Sequence, residues 1–267
     1  MMRFAAGGFW YLGQPVEEKI RRVAAAGFKA LEDLAWVNND PDSVKAALDE
    51  CGVSLTAVVL QSRDTEINAA VGQRHGMVWE DAYEAYEKAF RESLVYMKKV
   101  GVPMAILVPG LERQDVSREK QRENIVKTMK NLGSIAEAEG VRLTLEPLNV
   151  LVDHKGQYLW KTEEAVSILE EVGSPAISLL YDVYHQQISE GNLISTITKY
   201  MDKIGHIHLA DVPGRKEPGT GEINYTNVLN AIRDGGYNGT LAFESFCSTD
   251  GDDVARRMYE LIKPYET

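Results

Sequence analysis

The chain has 267 residues, 44% of them hydrophobic and 26% charged, with a formal net charge of −11. That size and composition suit one large α/β domain and exclude a small disulfide-stapled scaffold, and two cysteines, Cys51 and Cys247, without metal-type spacing fit a reducing, cytoplasmic setting. The acidic balance disfavours nucleic acid and anionic membrane surfaces as partners, and no run approaches the roughly eighteen apolar residues of a membrane span.

The first residues, Met-Met-Arg-Phe-Ala-Ala-Gly-Gly, lack the basic region, apolar run and cleavage site of a secretory leader. Residues 3–6 read as a first strand. An amphipathic helix over 16–26 then ends at Gly27, and a short apolar run, 29–33, follows. The same unit recurs along the chain. Asp40 caps the next helix, with Pro41 at its first position, where a missing N–H costs nothing. Gly52 closes that helix and leads into a strand over 53–60. Helix 79–100, Gly101 and strand 104–108 come next, followed by helix 117–139, Gly140 and strand 141–146. Helix 162–172, Gly173 and strand 177–182 precede helix 193–201, Gly205 and the strand it opens. Helix 225–234, Gly236, strand 240–244 and helix 252–262 complete the series. A glycine just past a helix accepts the left-handed backbone that closes it, and a short apolar run reads as a strand buried on both faces.

Eight strands alternating with eight helices predict a single α/β domain over 1–267, a (β/α)8 TIM barrel. A doubly wound open sheet is the alternative, but no Gly-x-Gly-x-x-Gly follows any strand. The longest irregular stretches, 61–77 and 149–160, follow strands three and five. They lie at strand C-terminal ends, where barrel active sites are built.

Four consecutive strands end in residues that ligate metals: Glu146, Asp182, His208 and Glu244, spaced 36, 26 and 36 residues apart. A single carboxylate at a strand end is ordinarily a helix cap or an ion-pair partner. Four such positions in succession, each after an apolar run, point to one shared site. Two glutamates, an aspartate and a histidine form a hard, oxygen-rich set that suits Mn²⁺, Mg²⁺ or Co²⁺. Three carboxylates around one point would repel one another without a cation. In Gly205-His-Ile-His-Leu-Ala-Asp211, His206 and His208 are two apart and share a strand face. His206 lies deeper and reads as a hydrogen-bonding residue behind the ligand. His185 and Arg215, in the loops after Asp182 and His208, would be surface residues in isolation. Beside a metal they become candidates for holding substrate oxygens or a carboxylate.

Glu146-Pro-Leu-Asn149, Tyr181-Asp-Val-Tyr-His185, Gly205-His-Ile-His-Leu-Ala-Asp-Val-Pro-Gly-Arg215 and Glu217-Pro-Gly-Thr-Gly-Glu-Ile-Asn-Tyr225 closely resemble the hydroxypyruvate isomerase family. That family belongs to the xylose-isomerase-like TIM barrels, with the tagatose and psicose 3-epimerases as cousins. The resemblance implies one divalent metal ion held by Glu146, Asp182, His208 and Glu244, with Glu146 and Glu244 doubling as the acid/base pair. It implies substrate contacts from His185 and Arg215, and from Asp153, which approximately matches an acidic contact of the family. At His208 the chain follows the 3-epimerases, since the isomerases usually carry glutamine there. The implied reaction is a proton shift beside a carbonyl through an ene-diolate, as in the conversion of hydroxypyruvate to tartronate semialdehyde or the isomerisation of a related 2-oxo acid. Ketose 3-epimerisation is the alternative, and a lyase or decarboxylase, or a nuclease of the endonuclease IV type, lies further off. The resemblance also implies a small sugar or keto-acid partner and a homodimer or homotetramer.

Overall fold

A computed structural model describes residues 2–266. Nine parallel strands form one sheet: β1 (Arg3–Gly7), β2 (Ala30–Glu32), β3 (Ser54–Leu55), β4 (Val58–Val59), β5 (Met104–Leu107), β6 (Arg142–Leu145), β7 (Ile177–Asp182), β8 (Ile204–Leu209) and β9 (Thr240–Phe243). Their order is β3-β2-β1-β9-β8-β7-β6-β5-β4. The two end strands are consecutive in the chain, with only Thr56 and Ala57 between them. β3 bonds β2, and β4 bonds β5. They are therefore two halves of one strand position, and together they close an eight-position barrel. The single strand expected over 53–60 is corrected to this broken pair. At the break the Thr56 amide still donates to the Leu31 carbonyl, and the Val59 amide to the Leu34 carbonyl.

The helices are α1 (Val16–Ala25), α2 (Pro41–Cys51), α3 (Thr65–Val71), α4 (Ala82–Val100), α5 (Arg118–Glu139), α6 (Thr162–Val172), α7 (Val183–Ser189), α8 (Leu193–Lys199), α9 (Tyr225–Asp234) and α10 (Gly251–Ile262). Two were not expected. Helix α3 occupies part of the stretch read as irregular after strand three, and Asp64 caps it by accepting from the Glu66 and Ile67 amides. Helix α7 starts directly at the end of β7, with Asp182 as its cap. Both are single short helices without a sustained apolar period, so periodicity could not find them.

Gly140 closes α5 in the left-handed region, with φ of 68°. Gly205 does not fit that pattern. It lies inside β8, and a Cβ there would meet Ser178 Oγ at 2.0 Å. It is present for close approach to β7, and a 3₁₀ turn at Met201–Lys203 makes the entry to β8. At the closure between β1 and β9, Phe4, Trp10, Phe28 and Phe243 pack as one aromatic group, with ring centroids 5.3 to 6.5 Å apart. That group anchors the seam that joins the two ends of the sheet.

Candidate active site

The strand ends set the site. Asp182 closes β7, His208 is the penultimate residue of β8, and Glu146 and Glu244 immediately follow β6 and β9. The pairing of Asp182 with His208 and of His208 with Ala242 brings these ends to one level. One ligand atom from each of Glu146, Asp182, His208 and Glu244 lies within 4.8 Å of the others. His208 Nδ1 is 2.9 Å from Glu244 Oε2, 3.5 Å from Glu146 Oε1 and 3.8 Å from Asp182 Oδ2.

Asp182 serves two purposes at once. Its Oδ1 accepts from the His185 amide at 2.9 Å and caps α7, while its Oδ2 has no hydrogen-bond partner. Glu146 Oε1 and His208 Nδ1 are likewise buried and unpartnered. Orphaned acceptors converging on one point fit a divalent cation, and the donor set of carboxylates with one imidazole fits a hard one.

Glu32, at the end of β2, was not singled out from the sequence. It is 4% exposed and lies beneath the histidines. Its Oε1 is 2.7 Å from His208 Nε2, its Oε2 is 2.8 Å from His206 Nε2, and Thr56 Oγ1 donates to Oε2 at 2.6 Å. The Glu32 carboxylate lies beside Nε2, and Nδ1 of His208 faces the ring of carboxylates, the atom through which this histidine could hold a cation. His206 acts on Glu32 rather than directly on the ligand ring. The signal for Glu32 was present, since it too is a carboxylate closing an apolar run, but nothing local ties it to a site formed 174 residues further on.

His185 was read as a loop residue. It is instead in the first turn of α7 and fully buried. Asn149 Oδ1 accepts from the Val152 and Asp153 amides, so the Asn149 side-chain amide is the group facing His185 Nδ1, at 2.7 Å. Nδ1 is therefore an acceptor, and the proton sits on Nε2, which has no partner. Burial pushes the imidazole down to about 4 despite the nearby Glu146 carboxylate, so it is a neutral N–H donor.

Arg215 was read as exposed by default. Its side chain is only 13% exposed, and its guanidinium Nη2 donates to Glu244 Oε2 at 2.6 Å. Burial alone would raise the Glu244 carboxyl, yet the Arg215 guanidinium and the His208 imidazole hold it down at about 2. Asp182 is raised by burial, and the Arg215 guanidinium opposes that only in part. Asp153 is exposed, and its Oδ2 accepts from Asn149 Nδ2 and Tyr184 Oη, each at 2.8 Å.

The site opens into a cavity of about 580 Å³. Glu146, Glu244, Arg215 and His154 line its polar side, and Leu34, Val59, Leu60, Ile106, Leu148 and Phe246 line its apolar side. His154 also escaped the sequence reading, since an isolated loop histidine carries no pattern. The ion pair of Lys19 Nζ with Asp33 Oδ1, 2.7 Å long and almost fully buried, stands on the same wall.

A parallel eight-position barrel with its ionisable residues gathered at the C-terminal strand ends defines a TIM-barrel enzyme. The chain belongs to the xylose isomerase-like TIM barrel family, whose sequence profile matches residues 20–265. It is 29% identical over 245 residues to hydroxypyruvate isomerase of Escherichia coli, covering 91% of this chain and 93% of that protein. It is equally 29% identical to 2-oxo-tetronate isomerase of Cupriavidus necator, covering 91% and 92%. Among solved structures, a D-allulose 3-epimerase from a Methylomonas species superposes with a TM-score of 0.82 at 22% identity, over 98% and 96% of the two chains. The relatives place this chain among enzymes of the isomerase class, and the structural likeness shows the shared fold. Among the described residues no helix is long and apolar enough to cross a membrane.

Proposed function

We propose that the chain is a divalent-metal-dependent isomerase that moves a proton between adjacent carbons of a small 2-oxo acid, of the hydroxypyruvate or 2-oxo-tetronate type. The observation that carries this reading is the convergence of Glu146 and Glu244, from non-adjacent strands, on one point beside the neutral N–H donor His185. Glu146, Asp182, Glu244 and His208 Nδ1 would hold the metal. A divalent cation there supplies Lewis-acid polarisation of a carbonyl and its neighbouring hydroxyl. The residues of the chain do the rest. One glutamate takes the carbon-bound proton; the other takes the proton of the adjacent hydroxyl and delivers it to the neighbouring carbon, and the first glutamate's proton passes to the former carbonyl oxygen. The His185 Nε2–H donates to the oxygen on which negative charge develops, and Arg215 holds the carboxylate beside the carbonyl carbon. The apolar wall of the cavity excludes water from the carbanionic stage.

A second reading, ketose 3-epimerisation, is favoured by the cavity itself, which is far roomier than a three-carbon acid needs. The same two glutamates would then exchange a proton across opposite faces of one carbon. Both readings are tested by following ¹H/²H exchange in D₂O with Mn²⁺-loaded protein on hydroxypyruvate, 2-oxo-tetronate and common ketoses. Glu146→Gln and Glu244→Gln are each expected to lower exchange by about 10²–10⁴-fold. Absence of exchange on every substrate would reject the proton-shift chemistry, and exchange confined to ketoses would select the second reading.

A further inference from the structure

The buried polar atoms without partners around this cavity include two compact sets. One is the oxygen-rich set that suits a cation: Glu146 Oε1 and Asp182 Oδ2, with His208 Nδ1. The other is entirely nitrogen: His185 Nε2, Arg215 Nε and His154 Nε2. Folded proteins leave few buried polar atoms unpaired, and a cluster of them marks a place where a ligand supplies the missing partner. The side chains that carry these nitrogens lie close together. The His154 and His185 rings meet edge to face with centroids 5.1 Å apart. Tyr184 joins His185 to Arg215, with its ring centroid 5.3 Å from that of His185 and 5.5 Å from Arg215 Cζ. Both His154 and Arg215 line the cavity.

The loop between β6 and α6 could have offered a carboxylate here. Asp153 instead accepts from Asn149 and Tyr184, and its neighbour His154 is the residue on the cavity wall. That exchange matters chemically. A carboxylate on this wall would accept from the hydroxyls of a neutral sugar and repel an acid. An imidazole beside a permanently charged guanidinium does the reverse. The planar fork of arginine matches a carboxylate, and an unpaired imidazole nitrogen alongside it can donate to the same group.

We infer that His154 is a specificity-determining substrate contact that binds, together with Arg215, the carboxylate of a small 2-oxo acid. The inference rests on the isomerase reading above and names the end of the substrate that the nitrogen corner recognises. Cation and carboxylate then occupy adjacent parts of one cavity, which orients the intervening carbonyl between the two glutamates.

The test compares wild type with His154→Ala and His154→Gln in the Mn²⁺-loaded enzyme. For His154→Ala the expected result is a KM for hydroxypyruvate or 2-oxo-tetronate raised roughly ten-fold or more, with kcat nearly unchanged. Turnover of a neutral ketose such as D-tagatose is expected to be unaffected. His154→Gln keeps a donor and should recover part of the loss. An equal loss on acids and ketoses, or no change on acids, overturns the inference and leaves the isomerase reading intact. A wild type that prefers neutral ketoses overturns it as well. Calorimetric titration with tartronate, which is not turned over, gives a readout independent of activity. Affinity should fall roughly ten-fold in His154→Ala, and equal affinities in the two proteins overturn the proposal even if no substrate exchanges a proton.

Discussion

Glu32 touches none of the atoms proposed to hold a cation, yet it lies against the other ring nitrogen of His208. Its contact with Nε2 directs Nδ1 at the carboxylates, and Thr56 and His206 hold Glu32 in turn. Partners of this kind are commonly worth 10–100-fold in metal affinity. Glu32→Gln is therefore expected to weaken Mn²⁺ binding by about that factor, measured by titration calorimetry, while leaving all four ligand side chains in place; unchanged affinity would show that β8 packing alone orients His208. At this scale the sequence disclosed residues that close apolar runs. Glu146, Asp182, His208 and Glu244 share that signature, and the chain brings one ligand-type atom of each within 4.8 Å of the others. It did not disclose Glu32 or His154, because their significance lies in contacts across the barrel and not in their neighbours along the chain. His185 and Arg215, surface residues only in isolation and candidate contacts beside a metal, are buried by the three-dimensional arrangement.

Arg215 owes its position to the loop that carries it. After β8, the Asp211 carboxylate accepts from four backbone amides of one loop: Val212 and Ile223 at Oδ1, and Gly219 and Gly221 at Oδ2, at 2.9 to 3.1 Å. Glu217, fully buried, binds the loop to the one after β9 through the Ser248 amide and to α10 through Arg257. Arg215 sits between these anchors at φ of 54°, a left-handed backbone that a non-glycine residue keeps only when its surroundings impose it. Asp211→Asn leaves the shape nearly unchanged but turns one acceptor into a donor facing two amides. It should cost roughly 2–3 kcal/mol by urea denaturation and raise KM more than it lowers kcat. A variant as stable and active as wild type would mean that the glycines and prolines of the loop suffice. Elements were legible where a period or a cap repeats, as for α5 and α10. They were missed where a strand breaks, as between Leu55 and Val58, and where a helix is too short to show a period, as in α7.

Across the whole molecule the four candidate ligands come from the ends of β6 to β9, whereas Leu34, Val59, Leu60 and Ile106, from the first half of the chain, supply much of the apolar wall. A cation held by all four strand ends, as proposed above, would tie the second half of the barrel together. A ligand present at a hundred times its dissociation constant stabilises a fold by about 2.7 kcal/mol. Mn²⁺ at that excess should raise Tm by roughly 5–10 °C. The shift should vanish with a chelator or in Glu244→Gln, as read by scanning calorimetry; a shift that a chelator abolishes but Glu244→Gln keeps would place the cation elsewhere. Alternation of strand and helix made the barrel legible from the sequence. Its closure did not follow from any local pattern, because the pairing of β1 with β9 joins Arg3 to Thr240 across almost the entire chain.

That closure has a consequence for synthesis. As the chain leaves the ribosome, Glu146, Asp182 and His208 all emerge before the strand that carries Glu244 and completes the seam. Glu32 emerges early and must wait for β8. Under the proposed metal reading the nascent protein would have no finished set of ligands until then, so metal capture would be a late event that reports a correctly closed barrel.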